Sequence, residues 1–93
     1  MAAEKRLEAI VYGLVQGVGF RWYTRQQAQY LQLRGFVRNR PDRTVEIVAE
    51  GQEEALCDLV EILNVGPFGA RVDRVDIKFL PCRGTFRGFE VRF

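Results

Sequence analysis

The stretch "GLVQGVGFRW", Gly13 to Trp22, places Gly13, Gly17 and Gly19 ahead of an arginine that opens a run with helical spacing. Glycine admits positive φ angles and close approach to the backbone, so a strand-to-helix loop of this composition can turn successive N–H groups inward as an anion nest. The start of the following helix adds the partial positive charge of its unpaired amides. Arg21 adds a planar guanidinium able to hold two oxygens of one phosphate. The same residues also fit a tight turn followed by a solvated arginine, and spacing alone leaves both readings open.

Upstream of the loop, "LEAIVY" (7–12) is rich in apolar and β-branched residues and reads as a strand. Downstream, Thr24, Ala28 and Leu31 recur at helical spacing between Arg21 and Arg34, with Phe20 one turn earlier, and Gly35 is expected to stop that helix. "FVRNR" (36–40) and "TVEIVAEG" (44–51) read as two strands joined by a "PDR" hairpin turn. From Gln52 to Asn64 the apolar set Leu56, Leu59, Val60 and Leu63 predicts a second helix, with Glu53, Glu54, Asp58 and Glu61 on its other side. "VGPFGA" breaks it. "RVDRVDIKFL" (71–80) alternates like a half-buried strand, "PCRGT" reads as a turn, and "FRGFEVRF" supplies a short last strand. This order predicts an α+β fold, a ferredoxin-like βαββαβ sandwich whose mostly antiparallel sheet carries two helices on one face and a short extra C-terminal strand. At 93 residues the chain is expected to form one domain, residues 1–93.

The net charge of +2 is too small to imply a nucleic-acid or membrane surface, but of 14 basic residues only Lys5 and Lys78 are lysines. That skew favours bidentate anion contacts over diffuse charge. The start "MAAEKRLEAI" lacks a signal-peptide core, and no apolar run approaches the length of a membrane span, so the chain reads as cytoplasmic. Histidine is absent, which removes the commonest general base and metal ligand. Cys57 and Cys82 make neither a disulfide framework nor a zinc site.

Other phosphate motifs fail on the same residues. No lysine follows the glycines as a P-loop requires, and Trp22 stands where a dinucleotide fingerprint needs its third glycine. Leu63 and Gly88 stand where a cysteine-phosphatase loop would need arginine after Cys57 and Cys82. "RGFVRNR" and "RGFEVRF" begin like an RNA-binding sheet motif but do not continue its pattern, so no nucleic-acid partner is expected.

"GLVQGVGFR" resembles the acylphosphatase signature G-x-V-Q-G-V-x-F-R, and "GFVRNRPDRTVEIVAEG" resembles that family's second signature, with Gly35, Phe36, Val37, Asn39, Val45 and Gly51 in register. "GPFGARVDRV" and "FRGFEVRF" are similar to the family as well, so the resemblance spans nearly the whole chain. It implies hydrolysis of acyl phosphates to carboxylate and phosphate on a ferredoxin-like fold, with no cofactor, no metal and no covalent intermediate. By position it assigns the phosphate-binding arginine to Arg21, the water-orienting asparagine to Asn39, and the phosphate cradle to the backbone of Val15, Gln16, Gly17, Val18, Gly19 and Phe20. Its implied partners are a small acyl phosphate and inorganic phosphate, the latter as product and inhibitor, with the protein a monomer and no membrane involved. One departure stands out: Arg43 follows the hairpin Asp42 where the family usually has glycine. The competing expectation is a non-enzymatic ferredoxin-like module that binds a phosphorylated ligand or RNA.

Overall fold

The computed structural model describes residues 3–93. The elements run β1 (Glu4–Leu14), α1 (Phe20–Tyr30), β2 (Arg34–Asn39), β3 (Val45–Gln52), α2 (Glu53–Val65), β4 (Arg71–Pro81) and β5 (Phe89–Arg92). The five strands form one sheet in the order β4-β1-β3-β2-β5. β1 pairs antiparallel with β3 and β4, β2 pairs antiparallel with β3, and β5 runs parallel to β2. This is the predicted ferredoxin-like arrangement with its extra strand at one edge.

Strand alternation explains which face is dry. Leu7, Ala9 and Val11 of β1 and Val45, Ile47 and Ala49 of β3 point to one face and are buried. Against that face lie Phe20, Thr24 and Ala28 of α1 and Leu56, Leu59 and Leu63 of α2, spaced one helical turn apart. Burial of these side chains is the main driving term for the fold, at roughly 1.5–3 kcal/mol for each large one. Val60, expected in the same stripe, is only partly buried at its border.

Three features differ from the sequence reading. α1 ends at Tyr30, not Arg34, because Gln32 takes a left-handed φ of 60° and the Gln32 and Leu33 amides turn back to the carbonyls of Gln29 and Ala28 at 3.0 and 2.9 Å. That closure uses backbone groups alone and needs no glycine at the stop. Gly35 lies inside β2 instead, where a Cβ would sit 1.8 Å from the Val48 carbonyl oxygen. The second difference is β4, which is mostly exposed instead of half-buried. It is an edge strand: Val72 and Val75 pack against the core, while Ile77 and Phe79 are left partly in water.

"PCRGT", read from the sequence as a turn, is likewise no turn between neighbouring strands. β4 and β5 lie on opposite edges, so residues 82–88 form a strap that crosses the sheet. The buried Glu50 carboxylate fastens it, accepting hydrogen bonds from the Arg83 and Gly84 amides at 2.9 and 3.0 Å and from Arg6 Nη1 at 3.3 Å. Phe86 then packs edge-on against Phe36, with the Arg6 guanidinium 5.5 Å from its ring centre. Burial pushes the Glu50 carboxyl upward, but the hydrogen bonds from Arg83, Cys82, Gly84 and Arg6 outweigh it and hold the group below the ordinary glutamate value. The strap thereby delivers β5 to β2 in a fixed register.

Candidate active site

The glycine loop leaves β1 and enters α1 with Gly17 and Gly19 at φ 76° and 75°. Gly19 is the N-cap residue and offers no side-chain cap to the helix. The first backbone amides of a helix have no intrahelical partner, so the N–H groups of Phe20, Arg21 and Trp22 stay open at a point where the helix dipole is positive. Neither Gly17 nor Gly19 has another group within 4 Å of its Cβ position, so the positive φ, not crowding, selects glycine there.

Asn39 comes from the far side of the sheet's first hairpin. It ends β2, two residues after the fully buried Val37 and therefore on the same helix-facing side. Val91 pairs with Val37 across the parallel β2–β5 contact, and Phe93 follows it on that side. These three origins converge on a pocket of about 310 Å³ lined by Gly17, Gly19, Phe20, Arg21, Trp22, Asn39, Val91 and Phe93. Arg21 donates from Nη1 to the Arg92 carbonyl at 3.3 Å and lies over the Phe93 ring, 4.5 Å from its centre. The guanidinium is thus braced from β5 while the pocket side stays accessible.

Of the residues assigned by position, Gly17, Gly19, Phe20, Arg21 and Asn39 share this pocket. The Val15 side chain is buried and Val18 packs at the border of the core, so only their backbone is available for a ligand. Gln16 lies on the other side of the loop, beside Gly13 and Arg43. Its side chain donates to the carbonyls of Arg40 and Thr44, each at 2.8 Å, and so ties the loop to the hairpin that carries Asn39. Sequence reasoning treated Gln16 as part of the backbone cradle and missed this link. Its signal is a glutamine kept inside a glycine loop where a small residue would suffice for a turn.

The hairpin itself closes through Arg40 N–H to Thr44 O at 2.9 Å and Arg43 N–H to Arg40 O at 3.1 Å. Asp42 accepts from the Thr44 amide and hydroxyl, and those bonds hold its carboxyl below the usual carboxylate range. Arg43 has a left-handed φ of 71°, so this chain uses the geometry that favours glycine while carrying a Cβ. Cys57 is exposed on α2. Cys82 lies on the strap with its Sγ 3.3 Å from Glu50, where burial and that carboxylate push its thiol up, away from the reactive thiolate. Among the described residues no group of three or more His, Cys, Asp or Glu side chains is placed to hold a metal ion. Among the described residues no helix is long and apolar enough to cross a membrane.

A ferredoxin-like α+β sheet here brings a glycine loop, the open start of a helix, an arginine and an asparagine to one pocket, a set of groups able to hold an anion. The family model described as Acylphosphatase matches residues 7–91, and the chain belongs to the acylphosphatase family. It is 46% identical over 89 residues to an acylphosphatase of Salinibacter ruber, covering 96% of this chain and 94% of that protein. It is 49% identical to an acylphosphatase of Thermobifida fusca, covering 94% of this chain and 96% of that protein. The crystal structure of acylphosphatase from Bacillus subtilis superimposes with a TM-score of 0.93 at 35% identity, covering 96% of this chain and 99% of that one. Family, relatives and fold together support acylphosphatase hydrolase activity.

Proposed function

We propose that the pocket between α1, β2 and β5 hydrolyses acyl phosphates, with Arg21 binding the phosphoryl group and Asn39 orienting the attacking water. The observation that carries this reading is that Arg21 and Asn39, distant in sequence, line one pocket at the open N-terminus of α1. The amides at the helix start and the guanidinium face the same volume, which suits the three equatorial oxygens of a transferring phosphoryl group.

Neither Arg21 nor Asn39 accepts a proton near neutral pH, and the reaction does not require one that does. The leaving carboxylate is a weak base that departs unprotonated, and a loose transition state asks little bonding from water. In the proposed step the water oxygen forms a bond to phosphorus while the bond from phosphorus to the acyl oxygen breaks, its electron pair leaving with the carboxylate. The water proton passes to the phosphate. Asn39 accepts a hydrogen bond from the water through its amide oxygen and donates to a phosphate oxygen through its N–H, which fixes an in-line approach.

This chemistry runs on a single domain, 1–93, working as a cytoplasmic monomer, with inorganic phosphate as product and competitive inhibitor. The test is phosphate release from acetyl phosphate and from p-nitrophenyl phosphate in the presence of a chelator. Turnover of the acyl phosphate alone is the expected result. Loss of turnover on chelation would overturn the metal-free mechanism, and equal turnover of the aryl ester would point to a different phosphatase chemistry. Phosphate binding with no turnover would leave a ligand-binding module in place of an enzyme.

A further inference from the structure

We propose that Arg43 is an electrostatic guide for the anionic substrate, drawing doubly charged phosphoryl ligands to the glycine loop without entering the pocket that holds them. The inference rests on the reading of that pocket as a phosphate site. Gly17 lines the pocket of Arg21 and Asn39, and it also lines a second hollow of about 360 Å³ behind the loop, shared with Gly13, Gln16 and Arg43. A single glycine therefore borders both the phosphate side of the loop and the side that carries Arg43.

The conformation of Arg43 is costly and its side chain is uncommitted. It holds a left-handed φ of 71°, where a Cβ is unfavourable. The residue is exposed, and among the described residues its guanidinium makes neither an ion pair nor a hydrogen bond. The adjacent carboxylate, Asp42, is taken by the Thr44 amide and hydroxyl and lies 3.9 Å from Arg40. A side chain kept in a strained turn with no bonds of its own contributes something other than stability, and what it carries is charge.

The pattern of pairing shows where that charge acts. On the sheet, Arg6, Arg34, Arg38, Arg71, Arg74 and Arg92 each sit against a carboxylate. About the loop the arginines are free: among the described residues neither Arg21 nor Arg25, one turn further along the same face of α1, has a carboxylate partner. The acidic first turn of α2 is far off, with Glu53 3.7 Å from Lys5 at the opposite end of β1. Asp73, which reaches the loop end of the sheet, is held by Arg71 at 3.0 Å. Three unneutralised guanidiniums thus flank the loop, and a field of one sign around a cleft raises the local concentration and encounter rate of an anion.

Salt separates attraction at a distance from contact. The measurements are kcat/KM for acetyl phosphate and the affinity for sulfate, a dianion that does not titrate near neutral pH, each in about 10 mM and about 0.5 M sodium chloride, between which the screening length falls from roughly 30 Å to a few ångströms. Trp22, the sole tryptophan and part of the pocket wall, reports sulfate binding by its fluorescence. Arg43→Gln should lower both quantities about threefold in low salt, leave kcat unchanged, and match the wild-type protein in high salt. Arg43→Lys should behave as wild type, because a point charge suffices at a distance. Arg43→Gly, which also removes the backbone strain, should match Arg43→Gln. Arg83→Gln makes the same change in net charge on the exposed strap, beside the start of β1, and should alter neither quantity. Wild-type values for Arg43→Gln in low salt, a loss that persists in high salt, an equal loss in Arg83→Gln, or failure of Arg43→Lys to keep wild-type values would each overturn the guide. If acetyl phosphate were not turned over while sulfate affinity followed Arg43 and salt in this way, the proposed activity would fail and the guide would stand.

Discussion

The Gln16 amide nitrogen lies 2.8 Å from the Thr44 carbonyl oxygen, so the loop that opens into α1 is pinned directly to the hairpin that presents Asn39. A second bond of the same length to the Arg40 carbonyl makes the contact a clamp over the hairpin's mouth. Gln16→Leu should cost about 1–3 kcal/mol in denaturant unfolding, the usual penalty for stripping partners from partly buried polar groups. It should also lower kcat more than it raises the phosphate inhibition constant, because Arg21 is braced from elsewhere. Gln16→Glu should not rescue it, since an ionised carboxylate brings no donor to two carbonyl oxygens. Wild-type kcat in Gln16→Leu would show that loop and hairpin keep their register without the clamp.

Arg21 and Asn39 have separable roles. Arg21→Ala should weaken inhibition by inorganic phosphate and collapse kcat/KM together, and Arg21→Lys should do little better because a point charge cannot reproduce the planar fork. Asn39→Ala should leave phosphate inhibition close to the wild-type value while kcat falls by a factor on the order of 10². The measurement is a kcat and a phosphate inhibition constant for each folded variant. Severe loss of phosphate affinity in Asn39→Ala with kcat retained would reverse the assignment.

Arg43 sits in the left-handed region at φ 71°, where a side chain costs about 1–2 kcal/mol relative to glycine. Arg43→Gly should therefore raise the unfolding free energy by up to about 1 kcal/mol, read as a higher midpoint, after the added chain entropy of glycine is set against the relief. A clear fall in the midpoint would mean that the arginine side chain contributes more than its backbone strain removes.

Glu50 makes stability depend on acid. Its folded carboxyl titrates below its ordinary value of 4.5, so the folded protein holds fewer protons than the unfolded chain between those two points. Its contribution is complete above that ordinary value and is lost as pH falls through the folded one. Glu50→Gln should flatten that part of the acid unfolding curve and cost about 1–3 kcal/mol at neutral pH, where Arg6 keeps only Glu8 as counter-ion and the Arg83 and Gly84 amides lose a charged acceptor. An unchanged acid limb in the variant would place the acid sensitivity elsewhere.

How much of this was readable beforehand follows from where each feature gets its energy. The helix-facing stripes of α1 and α2 were legible because burial imposes a period that the sequence must obey, as Leu56, Leu59 and Leu63 do. The pairing of Arg21 with Asn39 was legible through two signatures in register. The end of α1 was not, because Gln32 adopts a left-handed turn with no glycine to announce it. β4 alternates like a half-buried strand, yet its exposure follows from its place at the sheet edge, where only Val72 and Val75 reach the core, and no local pattern encodes that place. The strap's fastening to Glu50 and the Gln16 clamp both join residues far apart in the chain. A short polar segment reads as a turn until the strand order shows how far it must travel.

β5 has four residues and pairs with a single neighbour, whereas β1 and β3 are flanked on both sides. Short, exposed, singly paired elements open locally at a small fraction of the global unfolding free energy. Amide hydrogens of β5 should thus exchange through a sub-global opening long before those of β3. Because Val91 and Phe93 form one wall of the pocket and the Arg92 carbonyl holds Arg21, each such opening dismantles the site while the sheet survives. Activity should consequently disappear at denaturant concentrations where the circular dichroism of the sheet and helices is still native, so the protein's working lifetime is set by its most fragile strand and not by its core.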